Sequence, residues 1–118
     1  MQEQKVGKTN KMDQIYSDII GNDIVVKMRQ AGLFKAKYVT DALNRVMDRA
    51  YTLGSNSEQY IAEHSFSSKD DLDELCCKED LETGLLSTKR KVNILCKACE
   101  RVYLFGLYMN AHSFDVMH

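Results

Sequence analysis

GLFKAKYVTDALNRVMDRAYTLG, residues 32–54, can be laid without a gap over residues 84–106, GLLSTKRKVNILCKACERVYLFG, and the reading of this pair decides the fold. In the first segment Val39, Leu43, Val46, Ala50 and Leu53 recur at alternating spacings of four and three. That is one apolar stripe on a helix, with Lys37, Asp41, Asn44, Arg45 and Asp48 filling the other side. Seven of the 23 aligned positions are identical: Gly32/Gly84, Leu33/Leu85, Lys37/Lys89, Leu43/Leu95, Arg49/Arg101, Tyr51/Tyr103 and Gly54/Gly106. A duplicated helical unit and two helices that converged on one pattern both explain the match, and the alignment leaves the two open.

Working outward, the 118 residues contain no proline, no tryptophan and six glycines, most of them where helices would end. Nothing breaks long helices and the turn chemistry of a sheet is missing, so an all-α antiparallel bundle of four main helices plus one short helix is expected. Residues 1–10 are polar and read as a flexible arm, and residues 11–118 as a single domain. The first helix carries Met12, Ile15, Ile19, Ile24, Val25 and Met28, breaks at Gly21 with Asn22 or Asp23 as a new cap, and ends at Gly32. The second spans about residues 35–53, and a short one holds Tyr60 and Ile61. A third, about 69–83, opens with a Ser68/Asp71 capping box and turns Leu72, Leu75 and Cys76 inward. The last, about 87–111 with Ser87 as its cap, has a seam of Val92, Leu95, Cys99, Val102, Gly106 and Met109.

Sixteen basic and seventeen acidic residues give a net charge of −1, which argues against general coating of nucleic acid and directs attention to local patches. The longest apolar run, residues 102–109, falls well short of the roughly 20 residues that span a bilayer, and the N-terminal residues do not read as a charged-then-apolar signal segment. A cytoplasmic protein with reduced thiols and no membrane contact is expected. The run is apolar on every side, so Tyr103, Phe105, Gly106, Tyr108 and Met109 read either as the centre of the bundle or as an interface with a second copy, a homodimer being the simplest closed form.

Chemistry-bearing clusters are sparse. Cys76, Cys77, Cys96 and Cys99 are enough thiols for a tetrahedral zinc site, but both pairs fall inside expected helix, and neighbouring helical residues point about 100° apart. Packing is the simpler role, so no cofactor is expected. His112, Asp115 and His118 are spaced as ligands at the C-terminus, and Glu63 beside His64 is the remaining acid–imidazole pair. There is no phosphate-cradling glycine loop, HExxH or nucleophile elbow, so no enzyme is expected.

The oddest charges are Lys89, Arg90 and Lys91, in the first turn of the last helix, where cations oppose the helix dipole. Lys97 and Arg101 continue the basic face at steps of four. Seven carboxylates within residues 70–82 offer an internal partner, and an anionic ligand offers an external one. The turn at residues 84–91 partly resembles the second half of a helix-turn-helix, although Asp80 and Glu82 beside it would repel phosphate. The first expectation is therefore a small regulatory or adaptor protein that presents helical surfaces to another protein. The second is a nucleic-acid-binding regulator using Lys89, Arg90, Lys91, Lys97 and Arg101, and the third a zinc protein using the four cysteines.

Overall fold

A computed structural model describes residues 17–56 and 66–117, with side chains to residue 110 in the last helix. The expected arm at residues 1–10, the short helix around Tyr60 and Ile61, Glu63 and His64, and the side chains of His112, Asp115 and His118 lie outside that description. The described chain is all-α, a helical bundle with no strand among the described residues. Its elements are α1 (Asn22–Gln30), α2 (Lys37–Ser55), α3 (Lys69–Asp73), α4 (Lys78–Glu82) and α5 (Lys89–Met117).

Residues 17–20 are also helical and run into Gly21, whose φ of +94° breaks the helix before α1. Gly21 itself occupies the cap position, and no side chain caps there; Asn22 and Asp23 are already inside the helix, so the expected polar cap is not used. Further along, Gly32 and Gly84 have φ of +84° and +83°, a conformation in which a Cβ is disfavoured. Each lies five residues before the first residue of a long helix, Lys37 or Lys89.

The two aligned segments meet directly, because α2 against α5 is the dominant packing in the molecule. Leu43, Val46, Met47, Ala50 and Gly54 of α2 are buried, as are their aligned counterparts Leu95, Ala98, Cys99, Val102 and Gly106 of α5. Where the helices cross, a Cβ on Gly54 would overlap the Tyr103 carbonyl oxygen, and one on Gly106 would lie 2.5 Å from the Tyr51 carbonyl oxygen. These contacts are reciprocal, with Gly54 and Tyr103 mirrored by Gly106 and Tyr51. The close backbone approach that Gly106 permits is therefore made within the chain.

Two expectations about the helices are corrected. Residues 69–83 are two single turns, because Cys77 is extended (φ −95°, ψ 174°) and starts α4 afresh with Asp80 reaching back to its backbone N–H at 3.0 Å. The expected Ser68/Asp71 box at α3 is present, with Asp71 Oδ2 accepting from the Ser67 and Ser68 backbone N–H groups at 2.8 and 3.1 Å. At α5 the side-chain cap is Thr88 rather than Ser87: its Oγ1 accepts the Lys91 backbone N–H at 3.1 Å, while Ser87 Oγ receives Lys91 Nζ. The apolar run is also less enclosed than its composition suggests. Val102, Tyr103, Gly106 and Leu107 are buried, Phe105 packs on Tyr51 with ring centroids 6.0 Å apart, and Leu104, Tyr108 and Met109 are exposed.

Candidate functional site

Helix α1 packs against the first half of α5 through Ile24 and Ile94, both buried, and these two residues floor a groove between the helices. Lys27 and Gln30, three apart on α1, stand on one side of it. Lys89, Arg90, Asn93 and Lys97 stand on the other, with residues 89, 93 and 97 on one face of α5. The groove encloses about 470 Å³ and has four cations, two amides and no carboxylate in its lining. Gln30 also borders a neighbouring recess of about 720 Å³, formed by Arg29, Ala31, Gly32, Phe34, Lys35 and Lys91. The two recesses share an edge, so seven cations gather on one side of a chain whose net charge is −1.

Among the described residues no ion pair engages Lys27, Lys35, Lys89, Arg90 or Lys97. Lys91 donates to the Gly84 carbonyl and to Ser87 Oγ, both at 3.2 Å, which fastens the turn before α5. The Arg29 guanidinium lies over the Phe34 ring, 5.7 Å from its centroid. Lys89, Arg90 and Lys91 stand at the positive end of α5, so their charge adds to the field of the unpaired N–H groups instead of cancelling it. The result is a strongly positive surface with hydrogen-bond donors, suited to holding anions. Neither lining carries a carboxylate, imidazole or thiol.

Three carboxylates of the acidic segment that might have neutralised these cations, Asp71, Asp73 and Asp80, are engaged elsewhere. Asp80 is fully buried and bonded to two arginines of α2, with Arg45 Nη2 2.7 Å from Oδ1 and Arg49 Nη1 2.6 Å from Oδ2. Burial pushes its carboxyl up, but hydrogen bonds from Arg49, from the Cys77 N–H and Sγ–H, and from Arg45 prevail and hold it well below the usual carboxylate range. Arg49 also donates to the Leu75 carbonyl at 2.8 Å, anchoring the bend between α3 and α4. Asp73 pairs with Lys69, and hydrogen bonds from the Ser67 N–H, then the Ser68 N–H, lower Asp71.

The expected site residues thus separate. Lys89, Arg90 and Lys97 are brought together in the groove, and Lys91 faces the adjoining recess. Arg101 leaves the basic face: it donates to the Ile20 carbonyl and sits 3.6 Å from Asp23 Oδ1, tying the turn before α1 to α5. Of the residues proposed for an interface between copies, Tyr103 and Gly106 are taken up in the core, Phe105 is half-buried, and Tyr108 and Met109 are exposed. Sequence reasoning missed Lys27, Arg29, Gln30, Phe34 and Lys35, among them three of the seven cations. Lys27 and Gln30 at a spacing of three were a visible signal, but which face of α1 meets α5 is a tertiary fact.

The four thiols do not converge. Cys77 is exposed, Cys76 half-buried, and Cys96 and Cys99 lie in the core. Burial pushes Cys76 up to about 11 and raises Cys96 and Cys99 as well, which keeps these thiols protonated at neutral pH. No group of three or more histidine, cysteine, aspartate or glutamate side chains is placed to hold a metal among the described residues. No helix among them is long and apolar enough to cross a membrane. No protein-family model matches the chain, and neither the curated proteins nor the solved structures give a match.

Proposed function

We propose that this chain is a non-catalytic binding protein whose working surface is the cationic groove between α1 and α5, and that its ligand is the phosphate backbone of a nucleic acid. One observation carries the reading: cations from two separate elements, Lys27 on one side and Lys89, Arg90 and Lys97 on the other, share a groove without a carboxylate partner among the described residues. Surface cations ordinarily find solvent or a nearby acid. Here like charges share one groove, and two of them, Lys89 and Arg90, stand at the positive end of α5, a placement that costs stability and that a bound polyanion would repay. A near-neutral chain that concentrates positive charge in one groove favours one orientation on a polyanion.

The test is titration of a fluorescein-labelled oligonucleotide of about 20 nucleotides, followed by anisotropy at several salt concentrations. Binding should weaken as salt rises. Lys89→Ala with Lys97→Ala should lower affinity and reduce the slope of log K against log salt by about 1.4 on a single strand, about 0.7 per lost phosphate contact. No binding at low salt, or binding indifferent to charge reversal at Lys89, Arg90 and Lys97, would defeat the proposal.

A second reading rests on a different surface. Leu104 and Tyr108, four apart on α5, are 44% and 49% exposed, and they supply an apolar strip for a protein partner or a second copy. Leu104→Glu with Tyr108→Glu should abolish any self-association seen by light scattering while leaving the helical circular dichroism spectrum unchanged.

A further inference from the structure

The recess beside the groove bears on which kind of nucleic acid would bind, an inference that rests on the function proposed above. A duplex hides its base faces inside the stack, so a duplex-binding surface requires only cations and donors spaced to phosphates. A single strand also exposes flat bases, and surfaces that hold it combine a cationic track with aromatic rings or guanidinium planes on which bases lie. The α1/α5 groove has the cations and no aromatic residue in its lining. The adjoining recess has the missing aromatic ring, Phe34, with the Arg29 guanidinium held over it and Lys35 and Lys91 beside them.

The two recesses are contiguous through Gln30, whose amide has both donors and an acceptor for a base edge. Arg29 and Gln30 are successive residues at the end of α1, and Phe34 follows the left-handed turn at Gly32, so the platform is attached to one wall of the groove. Arg29 is exposed and Phe34 half-buried, its contact with the core fixing the ring that positions the guanidinium. We infer that the surface is a single-strand site: the backbone follows Lys27, Lys89, Arg90 and Lys97, and an unstacked base lies on the Arg29–Phe34 platform, its edge toward Gln30.

Charge and stacking are separable by substitution. Arg29→Lys keeps the positive charge and removes the plane, and Phe34→Leu keeps an apolar contact with the core while removing the ring. The full chain is titrated with a labelled homothymidine strand of about 20 nucleotides, with a hairpin duplex of equal phosphate number, and with polyglutamate as a competing polyanion. The single strand should bind about tenfold or more tighter than the hairpin. Arg29→Lys and Phe34→Leu should each weaken single-strand binding about fivefold or more, the lower end of what one stacked base contributes, without changing hairpin binding or the salt slope.

Thermal melting of each variant identifies any that unfolds; Arg29→Lys, on an exposed side chain, is then the deciding variant. Equal or tighter binding of the hairpin would overturn this inference and leave the proposed function standing. So would unchanged single-strand affinity in folded Arg29→Lys, or displacement of the strand by polyglutamate at equal charge. Failure of both strand and hairpin to bind would defeat the proposed function itself.

Discussion

Helices α2 and α5 share a frame, with a left-handed glycine five residues ahead, a leucine at the same buried step and a glycine at the crossing, yet their cations have opposite fates. Arg45 and Arg49 of α2 converge on Asp80, a carboxylate removed from water. Lys89, Arg90 and Lys97 of α5 face across a groove toward another cation, Lys27. Arg101, aligned with Arg49, follows the α2 pattern by reaching across to the opposite segment, Arg49 to the Leu75 carbonyl and Arg101 to that of Ile20. The difference separates cations that hold the fold from cations that the fold does not use. Where the scaffold is the same, charge without a structural partner is what distinguishes the surface proposed for binding.

The shared frame is open to the largest effects. Leu43 and Leu95 are both fully buried at aligned positions, so Leu43→Ala and Leu95→Ala should each cost about 2–5 kcal/mol in urea denaturation. Similar losses support equivalent packing roles. A near-neutral result for one of them would show that the two stripes do not contribute alike.

Next is the buried anion. Asp80→Asn strands two arginines about 40% exposed, so the loss should fall at the low end for a broken buried pair, about 3 kcal/mol. Asp80 has a folded pKa below its unfolded value of about 3.9, so its contribution is present above that value and lost as pH falls through and below it. Urea midpoints measured from pH 6 down to pH 3 should therefore fall less steeply in Asp80→Asn. Asp71, also lowered, retains a share of the slope. An identical acid profile in the variant would remove Asp80 from the structural side of the comparison.

The crossing comes third. Gly54→Ala and Gly106→Ala place a methyl group against carbonyl backbone that cannot rotate away, so the helices must separate, at about 1–3 kcal/mol each. Gly32→Ala lacks that clash, since nothing lies within 4 Å of its would-be Cβ; strain at positive φ is its only cost, about 1 kcal/mol. A larger loss at Gly32 than at Gly54 would reverse the assignment of one glycine to a turn and the other to a contact.

The frame was legible because its signals are local. Alternating fours and threes from Val39 to Ala50 gave α2, the missing proline gave long helices, and the gapless alignment paired Gly54 with Gly106. Leu53, read as inward, is only part-buried, because Gly54 takes the position against α5. The break between α3 and α4 was not legible, since it depends on Arg49 capturing the Leu75 carbonyl and on Asp80 capping Cys77. Spacing by four grouped Arg101 with Lys97, but a long side chain near the edge of the helix face follows its partner, and that partner, the Ile20 carbonyl, is 81 residues away in sequence. The spacing of Lys27 and Gln30 put them on one face of α1, but only the packing of α1 beside α5 made that face a wall of the groove. A groove belongs to two elements, and its two walls had no common signature in the chain.

The smallest effect on stability is also the sharpest on function. Lys89 lies in the first turn of α5, exposed and without an ion pair among the described residues, where a cation is disfavoured. Replacing it by glutamate puts an anion at the positive end of the helix and removes one like charge from the groove. Lys89→Glu should therefore raise stability, by about 0.5 kcal/mol in urea denaturation, while weakening oligonucleotide binding. Arg49→Glu should do the reverse of the first part, setting a carboxylate beside Asp80 and destabilising the chain. If one set of cations serves the fold and the other a ligand, like substitutions on the two aligned helices should change stability with opposite signs. If Lys89→Glu destabilises the chain by more than about 1 kcal/mol, Lys89 has a structural role that its surroundings do not show, and the distinction between the two helices is lost.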